Sequence, residues 1–575
     1  MAVARTSLNA TSPTAVLLPL IAVFLLALVV RLPAALDYGR DWYSPGSFTL
    51  INFDEGGSCR AALDAFSYSS FVGYQTIALM GLRGEKPVAT AKTDARKARA
   101  FCHGEAHITT ARIYSAVLGA ATAVVLVMLG WLLFPGQRSE ALVAGALLAL
   151  SGWHASESIM GTVDAPSTFF IYLFFLVALW ASNSGAWRWG VALVALVAAV
   201  WTKFWVFAVL SLLYFLPANL WQTLLHGVSA RRTLFLLIAY AALFGLVSNT
   251  ATPALLIWSA PLIFYVLVPW RAMSTTGRVA ALLLPWLAPF LMEVNLFSAY
   301  TSAGLTGRFG TDYGAIGENK WFRNILNVPL VLLIGLSLPG SLFMALGLRR
   351  LVSSLHWEKR YLLLLPLLAF LLYMAFLAPV TYYRHYLPLL PVACLLAAVG
   401  LSTLKPSLRK PGAILLLVWQ GFLCADLLHD YSADPRRELT RWYADNEPQR
   451  VLASYYAVPP PVSVQSSRLF RVSDVIRNGG RVPPADTLIL SENWYDTAFA
   501  NELNGPLAHD PSKLIKTTPE AVSFYRTALS DQHPQLTKVA HFAAPTFMPE
   551  LLFHKRVYGS FTQFVGDIVV FRVAQ

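Results

Sequence analysis

The sequence predicts a polytopic α-helical membrane protein with an exported α/β domain at its C-terminal end. Three observations carry that expectation. The 575 residues are 56% hydrophobic and only 13% charged, with a mean hydropathy of +0.54, whereas a soluble domain is nearer about a quarter charged. Runs such as "VLGAATAVVLVMLGWLLF", "FFIYLFFLVALW" and "LLLLPLLAFLLYMAFLAPV" recur, and several reach the roughly 20 residues that cross about 30 Å of hydrocarbon. From Asp430 onward no membrane-length run appears.

About thirteen spans are expected by this length criterion, near 14–33, 109–133, 140–156, 166–183, 188–202, 204–220, 233–249, 252–269, 279–297, 326–347, 361–379, 387–403 and 411–427. With the N-terminus in the cytoplasm, the even-numbered loops carry Arg138, Arg188, Arg231 with Arg232, Arg271 with Arg278, Arg349 and Arg350 with Lys359 and Arg360, and finally Lys405, Arg409 and Lys410. Short basic loops on one side are the positive-inside pattern. The short outer loops have almost nothing basic except Lys203 and Arg384, and the long loop 34–108 escapes the rule by its length. The first span could instead be a cleaved signal peptide, but the topology works with it retained. The net charge of +13 invites a nucleic-acid reading. The loop positions of the basic residues explain it better, no DNA-binding motif is present, and no nucleic-acid partner is expected.

The chain therefore divides into a membrane module, 1–428, and an exported unit, 429–575. In the second, "PRRELTRWYADN" and "PEAVSFYRTAL" read as helices, and "RVLASYYAV", "DTLILSE" and "DIVVFRV" as strands, with Pro459, Pro460 and Pro461 marking a loop. The membrane module has two large outer loops, 34–108 and 298–325. Of the four cysteines, Cys394 and Cys424 lie in spans as packing residues. Cys59 and Cys102 share the first outer loop, where an oxidising compartment would allow them to pair; two free thiols is the alternative.

The ionisable groups on the outer side form a set. The stretch "NFDEGGSCR" supplies Asp54 and Glu55, and Asp64, His103 and His107 follow in the same loop. Arg112 opens the second span. "HASESIMGTVDAPSTFF" supplies His154, Glu157 and Asp164; Lys203, Glu293, Arg384 and His385 complete the set. Charges at such a depth are costly unless paired, ligand-bound or snorkelled. Carboxylates mixed with Arg and Lys suit an anionic lipid substrate handled by an acidic catalyst. Simpler readings exist for each. Asp164 could cap the fourth span. Arg112 and Lys203 could be snorkelling anchors, and the first-loop histidines could be structural. Adjacent carboxylates on a regular element diverge, so at most one of Asp54 and Glu55 is central.

The order and sidedness of "FDEGG", "ARIYSAVLGAATAVVLVMLGWLLF", "ALLALSGWHASESIMGTVDAPSTFFIYL", the lone Lys of "WTKFW" and "YYRHYLPLLP" resemble the GT-C superfamily of membrane glycosyltransferases. The nearest relatives are bacterial proteins of the protein mannosyltransferase-like and aminoarabinose transferase-like group. The match covers the first four spans and the Arg-Tyr-Leu-Pro region; "FDEGG" departs from it where relatives often carry a bulkier residue after the acidic pair.

The resemblance implies an inner-membrane enzyme of the cell envelope, with its N-terminus cytoplasmic and its C-terminal domain periplasmic. It would move a sugar with inversion from a polyprenyl-phosphate donor to a glycan, lipid or protein acceptor. By that analogy Asp54 is the base, with Glu55 and Asp164 as the other catalytic carboxylates. Arg112, Lys203 and Arg384 hold the donor phosphate, and His154, Glu293 and His385 contact substrate. A divalent cation is left open, with Asp164 a candidate ligand. The competing functions are a transporter or flippase of lipid-linked sugars, which related halves and broken midplane helices would mark, and a non-catalytic assembly partner.

Overall fold

The computed structural model describes residues 13–63, 69–87, 90–134, 136–181, separate positions between 191 and 202, 320–354, 370–371, 383–454, 457, 466–495, 518–544 and 566–574. The spans expected between 204 and 297, and nearly all of those at 188–202 and 361–379, lie outside the described residues. So do Lys203, Glu293, Asp64 and most of the loop 298–325.

The first apolar run forms α1 (Pro13–Asp37). The long loop that follows contains a 3₁₀ turn (Phe53–Gly56), α2 (Gly57–Ala62), α3 (Phe71–Gly81) and α4 (Ala91–His103). Next come α5 (Glu105–Leu133), α6 (Arg138–Ala149), α7 (Gly152–Ile159) and α8 (Asp164–Ala181). Beyond them lie α9 (Lys320–Ser354), a 3₁₀ turn (Tyr383–Leu389), α10 (Leu390–Leu401) and α11 (Pro406–Ser432). Among the described residues five helices are long and apolar enough to cross a membrane, and six if α7 and α8, bent by 114°, count as one broken span. The protein is an α-helical membrane protein. Where α9 crosses α10, a Cβ on Gly347 would overlap the Leu396 carbonyl and one on Gly400 that of Phe343. Small residues let membrane helices approach this closely, and dispersion then holds them.

The expected third span, 140–156, is not one helix. It breaks at Leu150 and Ser151, where Ser151 turns extended. The cause lies in α1. The buried Arg31 guanidinium donates to the carbonyls of Ala149 (2.8 Å) and Leu148 (3.2 Å), in the last turn of α6, where carbonyls run out of helical partners. Ser151 Oγ donates to the Gly335 carbonyl at 2.8 Å, pinning the break to α9. The expected tenth span is also interrupted, at Ser337, whose φ is 60°.

After α11 the chain forms α12 (Pro435–Asn446), β1 (Arg450–Ala453), β2 (Ser466–Leu469), α13 (Val472–Arg477), β3 (Thr487–Ser491), α14 (Pro519–Leu529), β4 (Leu536–Phe542) and β5 (Ile568–Val573). The sheet order is β2-β1-β3-β5-β4. β1 pairs in parallel with β2 and β3, whereas β5 runs antiparallel to β3 and β4. β3 is buried along its whole length, as an interior strand covered on both faces must be. One face belongs to a core with Phe524 and Tyr525 of α14; the other, through Leu439 and Tyr443 of α12, joins the core of the helical bundle. The α/β unit is thus packed onto the membrane helices.

Candidate functional site

The site begins at Asn52, whose side-chain oxygen accepts from the Asp54 amide at 2.9 Å and opens the 3₁₀ turn. The turn sends its two carboxylates apart. Glu55 points inward, its side chain 0% exposed, and Asp54 points toward the surface, its side chain 36% exposed. Glu55 accepts from Arg112 Nε at 2.7 Å and Nη2 at 2.9 Å, a bidentate pair, and from the Gly161 amide at 2.9 Å. The third arm of the Arg112 guanidinium, Nη1, donates to the Tyr38 carbonyl. Removing one partner of such a buried pair would leave an uncompensated charge. Gly161 lies in the elbow between α7 and α8, so Glu55 ties the 3₁₀ turn to that elbow.

Asp54 meets a different arginine. Arg384 Nη2 donates to Asp54 Oδ2 at 2.9 Å, and Arg384 Nε stands 4.0 Å from Asp164 Oδ2. Asp164 is the first residue of α8, where the helix N-terminus favours a negative charge, and its carboxylate is nearly shut from solvent. Arg384 sits in the second 3₁₀ turn, which Tyr172 of α8 anchors by donating to the Pro388 carbonyl at 2.7 Å. One guanidinium therefore faces two carboxylates, one buried and one accessible. At a surface, the carboxylate of such a pair can take a proton and the guanidinium can receive an anion, according to what enters.

No family model and no curated protein matches the chain. Solved structures do. An oligosaccharyltransferase from Archaeoglobus fulgidus, in a complex with Zn and sulfate, aligns at 13% identity with a TM-score of 0.44, over 88% of this chain and 70% of that one. ArnT from Cupriavidus metallidurans, bound to undecaprenyl phosphate, aligns at 15% identity with a TM-score of 0.40, over 86% of this chain and 96% of its own.

The other residues singled out in the sequence have these places. His154 is fully buried in α7 and lies 3.0 Å from Arg31 through Nδ1, so it faces the interior of the bundle. His385 is half-buried beside Arg384. Lys203 and Glu293 lie outside the described residues. Cys59 and Cys102 form a disulfide, Cα atoms 5.6 Å apart, that joins α2 to the end of α4. His107 is buried against Thr76 and the Cys102 carbonyl. The His103 ring lies against Gly56, where a Cβ would come within 2.7 Å of its Nε2. Gly56 thus admits an imidazole from behind the turn. Burial, with Arg99, Arg60 and His107 nearby, pushes the His103 pKa down from 6.5 to about 4.

A divalent cation would need a set of oxygen or nitrogen ligands. Among the described residues no group of three or more His, Cys, Asp and Glu forms one, and Asp54 and Asp164 both face the Arg384 guanidinium. Among the described residues, then, no ligand set for such an ion is assembled.

Reading the sequence misses three contributors: Arg31, Tyr38 and the Gly161 amide. Arg31 had a signal, a lone charge in an apolar run, which inside a membrane span marks a function or a buried partner. A backbone amide leaves no signal in sequence.

Proposed function

We propose that the chain is an inverting glycosyltransferase that moves a sugar from a polyprenyl-phosphate carrier to an acceptor hydroxyl at the outer face of the bacterial inner membrane. The observation that carries this reading is the Asp54–Arg384 pair: of the three carboxylates gathered here, Asp54 is the one open to solvent, and it is hydrogen-bonded to a cation. A polyprenyl phosphate departs as a stable anion, so its departure needs electrostatic stabilisation and no general acid. One base for the acceptor proton then suffices.

In the proposed reaction Asp54 takes the acceptor hydroxyl proton as its oxygen attacks the anomeric carbon. The bond from that carbon to the phosphate oxygen breaks, and the electron pair leaves on the phosphate. Arg384 is the cation proposed to receive it, its planar fork suiting two phosphate oxygens. Asp164 orients that fork. Single displacement inverts the anomeric centre. Lys203 is proposed as a second phosphate cation. Arg112 is bound to Glu55, so its proposed role, like that of Glu55, is to hold the turn that aims Asp54. His385 is proposed to contact substrate beside Arg384.

The test is single-turnover transfer from purified polyprenyl-phosphate sugar. Losing a positioned base costs about 10²- to 10⁴-fold in rate. Asp54→Asn, nearly isosteric, is expected to lose that much while donor binding stays near normal. Full transfer by Asp54→Asn would overturn the base assignment and favour a transporter or assembly role.

A further inference from the structure

Tyr38 follows α1 directly, and it is where several elements meet. Its hydroxyl donates to Asp434 Oδ2 at 2.5 Å and accepts from Arg436 Nη2 at 2.6 Å, which uses both roles of a phenol. Asp434 caps α12, accepting the Arg436 amide at 2.9 Å, and Arg436 Nη2 returns to Asp434 Oδ2 at 2.6 Å. The Asp434, Arg436 and Tyr38 side chains are all buried. The Tyr38 ring packs edge-on against Tyr431 of α11 with centroids 4.7 Å apart, and the Tyr431 hydroxyl lies 2.9 Å from Ser156 Oγ in α7. On its other side the Arg112 guanidinium carbon stands 5.7 Å from the ring centroid, and Arg112 Nη1 donates to the Tyr38 carbonyl. Arg112 in turn holds Glu55.

We propose that Tyr38 is a positioning residue through which α12, the helix that opens the C-terminal α/β unit, sets the Asp54–Glu55 turn. The chain of contact runs from Asp434 and Arg436 to the Tyr38 hydroxyl, from Tyr38 to Arg112, and from Arg112 to Glu55. Each link is a hydrogen bond between buried groups, and at three links one partner is charged. Such links have steep dependence on geometry, because a displaced partner leaves a buried charge unpaired. α12 carries the far end of the chain and packs on the sheet through Leu439 and Tyr443. The seating of the α/β unit is thereby felt at a carboxylate next to Asp54, without that unit touching substrate.

The catalytic consequence rests on the proposed transferase reading; the mechanical link does not. The experiment therefore has two arms on the full-length protein in lipid nanodiscs, with Tyr38→Phe and Arg436→Gln. The first arm is amide hydrogen exchange. Losing a hydrogen bond to a charged group is expected to speed exchange at residues 52–63 by about tenfold, with β3, β5 and the second half of α5 unchanged. The second arm is sugar transfer, where kcat is expected to fall by about tenfold with the donor KM unchanged. Unchanged exchange at 52–63 in Tyr38→Phe overturns the link, whatever transfer does. Raised exchange everywhere in Arg436→Gln means loss of fold in that variant, and Tyr38→Phe, which keeps the ring over Arg112, then decides. Raised exchange at 52–63 in a protein that transfers no sugar even as wild type supports the link and sinks the transferase reading alone.

Discussion

Arg384 Nη2 and Asp54 Oδ2 lie 2.9 Å apart although 330 residues separate them in the chain. The contact joins the loop after α1 to the turn before α10, and Asp164 stands beside the same guanidinium. If that guanidinium also receives the donor phosphate, Arg384→Ala is expected to weaken donor binding more than Arg384→Lys, because ammonium is a point charge and cannot engage two oxygens at once. A charge-assisted hydrogen bond is worth about 1.5–3 kcal/mol, or roughly ten- to a hundredfold in the donor dissociation constant for the alanine variant. Donor binding to nanodisc-embedded protein measures it; unchanged affinity in both variants would leave Arg384 with Asp54 alone.

The sidedness inferred from basic loops has a direct test. A reporter fused after Gln575 is expected to be exported, and one inserted near Arg231 to be cytoplasmic, because short loops rich in Lys and Arg are retained inside. A cytoplasmic signal from the C-terminal fusion would reverse the assigned faces, and an outer-face reaction would go with them.

What the sequence made legible follows from what kind of signal each feature leaves. α5 and α11 stand out because an unbroken apolar run is a local property, and both helices lie within a few residues of the expected 109–133 and 411–427. The break at Ser151 is hidden because its cause, Arg31, reaches the Ala149 carbonyl from 118 residues away. β1, β3 and β5 fall in the apolar segments read as strands, whereas β2, "SSRL", is short, polar and exposed at the sheet edge and gives no hydrophobic pattern. β4 alternates burial along "LTKVAHF", a weak signal in an edge strand. At the site, sidedness sufficed to group Asp54, Asp164 and Arg384. It could not tell that Arg112 would turn inward to Glu55, since that depends on a tyrosine carbonyl and a glycine amide.

His103 makes the loop after α1 sensitive to acid. Its pKa is held at about 4 in the folded protein against 6.5 for an ordinary histidine. Between those values the unfolded chain binds a proton that the folded one does not, so stability rises with pH there. The contribution is complete above pH ~6.5, shrinks as pH falls toward ~4 and is constant below that. Thermal unfolding in detergent is expected to show a midpoint falling between pH 6.5 and 4, and His103→Gln is expected to make that segment of the profile less steep, the buried His107 keeping a share of it. An identical slope in the variant would remove His103 as its source.

The last prediction separates two roles for Arg112. As a phosphate cation it would act on donor binding; as the partner of Glu55 it acts on the fold and on the aim of Asp54. The geometry favours the second, since Arg112 and Glu55 are 1% and 0% exposed and bonded through two parallel contacts. Breaking a buried pair from one side costs about 3–5 kcal/mol, because the remaining charge is buried alone, whereas replacing both partners with apolar groups of similar volume is often near neutral. Arg112→Met alone is therefore expected to lower stability by about that amount, and Glu55→Leu alone likewise. The Arg112→Met/Glu55→Leu double variant should recover much of the loss, less whatever the unpaired Gly161 amide costs. This is a coupling that independent roles would not produce. In transfer assays Arg112→Met should lower kcat and leave the donor KM in place. Additive losses of stability, together with a raised KM, would return Arg112 to the phosphate site and leave the turn that carries Asp54 to be held by other contacts.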